Sequence, residues 1–363
     1  MRLLSLTLDS FRNYTHLTLR FLEKEKLFVL VGENATGKTN ALEAVTILSL
    51  LKSPRKVEES DLITWEQTAY RIQVEVLSDS GEKKQLEVVS QVSPRRQRAC
   101  FINGVRTPSQ QYLGIFPVIT FAPEDLDLFT GSPALRRRFI DDLLTQVSPA
   151  YRQALSEYEK TLKQRNTLLR QIQEGSQKGA ALDVWDEKLS LSGAIITVER
   201  LQLFETLQMT LLRELHALGE KPKLASFTYI RKGEALEERK IQKEIVDMLR
   251  TDRERDIVIE MTTVGPHRDD FSLSFDRRDL TTFASRGQQR AALLALLLLE
   301  ASFLEMRTGE KPVLLLDDVF SEFDEKHRQA VLKAFTGNQV IVTATHVEKN
   351  FKEKAKLIVC PIE

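Results

Sequence analysis

Apolar and polar residues alternate over residues 3–8 and 17–21, the two-residue period of a strand with one face buried. Residues 27–31 are apolar throughout, as a strand covered on both faces is. A loop with two glycines leads into a helical stretch over 39–51, which stops before Pro54. Residues 71–77 and 85–92 flank Asp79-Ser80-Gly81, and 99–102 run into Asn103-Gly104, so two hairpins are expected. These first 110 residues read as a mixed sheet around one helix.

From about residue 133 to 249 the period lengthens. Tyr151, Leu155, Tyr158, Leu162, Leu169 and Ile172 keep to one helical face, and so do Leu191, Ile195, Val198, Leu201, Phe204, Leu207, Leu211 and Leu215. Residues 175–179 make the turn that separates the two runs. The pattern predicts a short antiparallel helix pair, with runs of about 25 to 30 residues that are too brief for an extended coiled-coil arm. After residue 256, strands are expected over 257–264 and 271–275, then a helix over 288–306 and buried strands over 313–316 and 339–343. The fold class that follows is α/β: a head with a mixed sheet formed by 1–110 and 256–363, and a mainly helical lobe, 111–255, inserted into it.

Composition narrows what such a chain does. Its 363 residues hold 52 Lys+Arg and 52 Asp+Glu, which removes any argument for a globally basic nucleic-acid binder. DNA, if bound, is held by a local patch. Cys100 and Cys360 form no CxxC pair, so neither a disulfide framework nor a zinc site is indicated, and a reducing, cytoplasmic compartment fits. The N-terminal alternation reads as a strand, not a signal peptide. The most apolar segment, residues 291–299, ends at Glu300, far short of the roughly 18 to 20 residues that a membrane span needs.

The strongest local signal is Gly32-Glu33-Asn34-Ala35-Thr36-Gly37-Lys38-Thr39, followed by Asn40. It matches the G-x-x-x-x-G-K-[ST] phosphate loop, with an apolar strand before it and a helical stretch after it. The glycines let backbone N–H groups converge on phosphates, Lys38 reaches the β/γ-phosphates, and the Thr39 hydroxyl ligates Mg²⁺. Asp317 and Asp318 close the buried strand 313–316, at the edge where open α/β sheets bind ligands. Asp317 is assigned to magnesium through its water shell, and Asp318 to orienting or deprotonating the attacking water. Ser285-Arg286-Gly287-Gln288-Gln289-Arg290 precedes the long apolar helix as a capped, anion-accepting helix start.

The order of these pieces, with Ser321-Glu322-Phe323-Asp324 after the acidic pair, resembles the ABC-type ATPases of the SMC class. Phe11-Arg12-Asn13-Tyr14, Phe121-Ala122-Pro123-Glu124-Asp125-Leu126, Gly131-Ser132-Pro133 with Arg137-Arg138, and Gly265-Pro266-His267-Arg268-Asp269-Asp270 narrow it. Together with Gly287-Gln288-Gln289-Arg290 and Asp317-Asp318-Val319-Phe320-Ser321-Glu322, they resemble the RecF family of bacterial recombination-repair proteins over nearly the whole chain. The resemblance implies an ABC-type head that binds ATP with Mg²⁺ and closes on a second copy. Ser285 and Gly287, with Gln288, would then contact the γ-phosphate held by Lys38 of the other chain. It also implies Arg12 and Asn13 near the nucleotide, Asp324 at the dimer seam, Glu124 in a γ-phosphate-sensing loop and His346 as the switch histidine. The partners it implies are gapped or junction DNA bound without regard to sequence, and mediator proteins such as RecR and RecO, in replication restart and the SOS response.

Two departures bear on chemistry. Ala35-Thr36 stands where relatives often carry further glycine, and Asp318 is one methylene shorter than the usual glutamate, from which slow turnover is expected. Residues 265–270 are read as a charged turn joining two strands, since no second histidine supports a metal site. Three arginine-rich clusters, Arg95-Arg96 with Arg98, Arg136-Arg137-Arg138, and Arg55-Lys56, are the candidate phosphate contacts. A P-loop kinase or a transport-type ATPase subunit would also use Lys38 and Thr39, but leaves residues 285–289 and 321–324 without a role.

Overall fold

A computed structural model describes residues 1–55, 57–318, 325–346 and 355–359. In chain order the first stretch is β1 (Arg2–Phe11), β2 (Tyr14–Arg20), β3 (Leu27–Val31), α1 (Lys38–Leu50), β4 (Ala69–Leu77), β5 (Lys83–Gln91), β6 (Gln97–Ile102), β7 (Val105–Thr107), α2 (Ser109–Tyr112) and β8 (Val118–Phe121). Then come α3 (Pro133–Val147), α4 (Pro149–Gln173), α5 (Asp183–Ala217), β9 (Ala225–Ile230), α6 (Glu238–Thr251), α7 (Arg253–Ile259), β10 (Asp270–Phe275), β11 (Arg278–Asp279) and α8 (Leu280–Phe283). The last stretch is α9 (Arg286–Thr308), β12 (Val313–Leu316), α10 (Glu325–Ala334), β13 (Val340–Ala344) and β14 (Lys356–Val359). Among the described residues no helix is long and apolar enough to cross a membrane.

The chain divides into two compact units. The first, Met1–Asp127 with Arg213–Lys221 and Arg286–Glu363, holds two sheets. One is antiparallel, in the order β2-β1-β4-β5-β6-β7; the other is parallel, in the order β14-β3-β13-β12-β8. Every residue of α1 from Ala41 to Leu50 is buried, because the helix meets β1, β4 and β5 of one sheet and β8 of the other. That is why its sequence shows no one-sided stripe. Leu3, Leu6 and Leu8 of β1, Phe28 and Leu30 of β3, and Val45 and Ile47 of α1 share one core cluster. Gln339 ties the two sheets, accepting the Leu3 N–H at 2.6 Å and donating to the Leu3 carbonyl at 2.9 Å.

The second unit, Leu128–Leu212 with Pro222–Ser285, contains α3, α4, most of α5, α6 to α8 and the small sheet β11-β10-β9. Helices α4 and α5 run antiparallel: Arg200 donates to the Tyr151 hydroxyl at one end, and Arg165 to Asp186 at the other. Phe204, Phe227 and Phe271 join helix to sheet.

These boundaries differ from those the periodicity suggests. Residues 111–127 carry β8, the parallel neighbour of β12, and so build the first unit rather than the helical one. Strand β8 has four residues, too few for a period to show. Conversely, residues 256–285 belong to the second unit, where β10 pairs with β9. The strand expected over 257–264 is not there: residues up to Ile259 continue α7, and Glu260 ends it in the left-handed region at φ 56°. The β-branched run Ile257-Val258-Ile259 imitates a strand, but buried Asp256 is held by Arg165 and Thr263, and that tertiary anchoring fixes the helix.

Candidate nucleotide-binding site

Parallel pairing brings the carboxyl ends of β3, β8, β12 and β13 to one edge of the sheet. The loop of residues 32–37 leaves β3 there, Asp317 and Asp318 leave β12, Thr345 and His346 leave β13, and Glu124 lies in the 3₁₀ turn Pro123–Asp127 after β8. Residues 250 or more apart in sequence thus meet because an intervening strand, β13, holds β3 and β12 at a fixed separation.

Within the loop, Gly37 has φ 96°, and a Cβ there would overlap the Tyr14 hydroxyl and stand 2.7 Å from the Asn13 amide nitrogen. Glycine is therefore required both by conformation and by space. Ala35 takes φ 67°, a left-handed conformation that explains why glycine suits this position in similar loops. Thr36 donates to the Glu33 carbonyl at 2.9 Å, and Glu33, Asn34 and Ala35 are exposed. Lys38, though only 8% exposed, spends its ammonium on the loop's own carbonyls, Gly32 at 2.7 Å and Glu33 at 2.6 Å. These bonds are exchangeable for phosphate oxygens without breaking any core contact.

Thr39 Oγ1 donates to Asp317 Oδ1 at 3.0 Å. The bond sets a hydroxyl and a carboxylate side by side, oxygen groups of the kind that would hold a magnesium ion, Thr39 directly and Asp317 through water. Among the described residues no group of three or more His, Cys, Asp or Glu side chains could hold a metal ion. Asn40 donates to Asn13 at 2.7 Å. Arg12, expected beside the nucleotide, forks onto buried Glu43 of α1 with bonds of 2.9 and 2.8 Å and donates to the Asp61 carbonyl. Glu43 carries no motif, and only the structure reveals it as the anchor of this arginine.

The sequence matches the family described as "RecF/RecN/SMC N terminal domain" over residues 2–360. It is 38% identical over 353 residues to the DNA replication and repair protein RecF of Geobacillus thermodenitrificans, covering 96% of this chain and 94% of that protein. The chain belongs to the RecF family. A solved structure of the recombination mediator protein RecF-ATP in the RecFOR pathway superposes with a TM-score of 0.87 at 33% identity, covering 96% of this chain and 92% of that one. The head of an Smc protein bound to the C-winged helix domain of ScpA shares the fold, with a TM-score of 0.53 at 14% identity. The RecF-family chain thus has an SMC-type ATPase fold.

Other expected RecF-family positions distribute as follows. Ser285 is the last residue of the second unit, and Gly287 and Gln288 lie in the first turn of α9; all three are exposed. Asp318 is exposed at φ 47°, and His346 is exposed just past β13. Residues 321–324, including Asp324, lie outside the described residues, as does Lys56.

Two of the three arginine clusters are partly internal. Arg136 is buried, bridged to both oxygens of Asp270 at 2.6 and 2.9 Å and donating to the Leu128, Phe129 and Gly131 carbonyls. Arg98 is bonded to Glu59 and the Leu51 carbonyl. Burial works to raise the Glu59 carboxyl, yet bonds from Arg98, Ser90 and Tyr70 bring it below its ordinary value. Arg55, exposed, lies 3.7 Å from Glu43, and Arg95 and Arg96 are exposed too, Arg96 3.8 Å from Glu59.

Residues 265–270 form a packed polar knot inside the second unit. His267 shares a 2.7 Å hydrogen bond with the Tyr158 hydroxyl, and Arg268 donates to the Thr262 carbonyl. Tyr229 donates to Asp269 at 2.6 Å, and Arg200 to the Pro266 carbonyl at 2.7 Å. Burial pushes His267 down to about 4 and Asp269 up to about 6, the latter against opposing pull from Tyr229 and Arg200. The run is a structural knot rather than a simple turn between two strands.

Proposed function

We propose that this chain is an ATP-dependent DNA-binding protein of recombinational repair and replication restart. The observation that carries the proposal is the single sheet edge at which Lys38, the Thr39–Asp317 pair and Asp318 converge while the Ser285-to-Gln288 tip stays exposed on its own chain. On this reading ATP with Mg²⁺ sits on the loop of residues 32–39. The tip of a second copy completes the site at the γ-phosphate, so each nucleotide binds two chains together, with His346 and Glu124 lining the same phosphate. Magnesium would be held by Thr39 and, through water, by Asp317, and would neutralise charge developing on the phosphates. Asp318 orients or deprotonates the attacking water, and its short side chain makes turnover slow. Hydrolysis then releases the dimer.

DNA is held through phosphates, without base reading, by exposed cations such as Arg95 and Arg96. Gapped or junction DNA, mediator proteins of the RecR and RecO kind, a role in the SOS response and a cytoplasmic location follow from the family's role. The test is ATPase activity against protein concentration, with and without gapped duplex. A specific activity that climbs with protein concentration and with DNA is expected. An activity proportional to protein at every concentration and indifferent to DNA would favour a phosphoryl-transfer enzyme acting as a monomer.

A further inference from the structure

Strand β13 carries a hydroxyl that belongs to neither the phosphate loop nor the acidic pair, yet touches both acids. Thr343, buried in the sheet, donates from Oγ1 to Asp317 Oδ1 at 2.6 Å and accepts the backbone N–H of Asp318 at 2.8 Å. The same Asp317 oxygen accepts from Thr39 at 3.0 Å. Asp318 stands at φ 47°, a region that residues other than glycine occupy when surrounding bonds hold them there. The pairing Leu316↔Val342 places Thr343 one step beyond the last residue of β12, where its side chain can span Asp317 and Asp318 together.

We infer that Thr343 is a positioning residue for ATP hydrolysis, one hydroxyl that ties the orientation of Asp318 to the metal-side carboxylate Asp317. The inference rests on the hydrolytic reading above. When magnesium takes the Thr39 hydroxyl, Asp317 keeps its bond from Thr343, and the Asp318 peptide stays clamped in its left-handed turn. Without the hydroxyl, the bond from the Asp318 N–H to Thr343 is gone and the hold on that peptide loosens, letting the Asp318 carboxylate shift from the water it serves. Lys38 and the loop amides are untouched by that change, so nucleotide affinity should persist while the chemical step slows.

Thr343→Val is the direct variant, because valine copies the shape and suits a buried strand. Thr343→Ser restores the hydroxyl, and Asp318→Asn sets the floor. The full chain, with Mg²⁺ and gapped duplex, is assayed for kcat, KM, magnesium half-saturation and binding of a fluorescent ATP analogue. Thr343→Val should lower kcat by roughly a hundredfold, as angstrom-scale misplacement of a reacting group does, with analogue affinity nearly unchanged and a higher magnesium requirement. Thr343→Ser should recover most of kcat. A Thr343→Val protein with wild-type kcat and magnesium dependence overturns the inference while leaving hydrolysis intact. Valine and serine variants that lose kcat equally, with lowered melting temperatures, overturn it in favour of a packing role. A wild type no faster than Asp318→Asn would sink the hydrolytic reading first, and this inference with it.

Discussion

Two glycines, one in each unit, meet a tyrosine in the same way. A Cβ at Gly37 would overlap the Tyr14 hydroxyl, and one at Gly265 would overlap the Tyr158 hydroxyl; both glycines have positive φ, 96° and 117°. Around Gly37 the polar groups rest on exchangeable partners, Lys38 on its own loop carbonyls and Thr39 on Asp317. Around Gly265 the partners are fixed, with Tyr158 on His267 and Tyr229 on Asp269, both in the interior of the second unit. Glycine followed by charge therefore has two meanings. It builds a ligand site where polar atoms can trade partners, and a structural joint where burial would strand them unpaired.

The sharpest way to break the comparison is at Arg136. Arg136→Leu should destabilise the protein by about 3–5 kcal/mol in denaturant unfolding, because Asp270 loses its buried partner. Arg95→Ala, on the outward-facing member of another cluster, should stay within about 0.5 kcal/mol of wild type while flattening the salt dependence of DNA binding. Equal stability of the two variants would show that the second unit's network is not structural.

Next are the glycines themselves. Gly265→Ala should lower stability by roughly 2–3 kcal/mol, through the tyrosine overlap and the unfavourable φ, with residual ATP binding in the folded fraction. Gly37→Ala, which meets a tyrosine overlap at least as tight, should lower stability by a similar amount but also weaken ATP binding of the folded fraction by at least about tenfold in calorimetric titration. Identical profiles for the two would erase the distinction.

A smaller effect sharpens it further. Asp269 is raised to about 6 in the fold, so its proton contributes stability that is present below its unfolded value near 4 and is lost as pH rises through 6. His267, lowered to about 4, works oppositely but is common to both proteins compared. Wild type should therefore gain about 1 kcal/mol over Asp269→Asn between pH 7.5 and pH 5, read from paired melts. A pH-independent gap would mean that Asp269 is not buried as an ionisable group.

Much of the site was legible because its chemistry is local. The loop from Gly32 to Thr39 needs one strand before it and one helix after it, and β3 and α1 are there. The acids after residues 313–316 follow the same logic. What escaped was long-range: β8 reveals itself only beside β12, Glu43 only beside Arg12, and Thr343 only where β13 passes Asp317 and Asp318. Arg136 and Arg98, two members of the basic clusters, were misleading for the same reason. Arginine in sequence does not say whether a carboxylate such as Asp270 or Glu59 waits in the fold.

The central claim, that a triphosphate bridges two copies of this chain, is tested most directly by light scattering on Asp318→Asn with Mg²⁺ and ATP, ADP or no nucleotide. The account predicts twice the 41.5 kDa chain mass with ATP alone, and a return to a single chain when Ser285→Arg is added. A protein that binds ATP yet keeps the mass of one chain would contradict it.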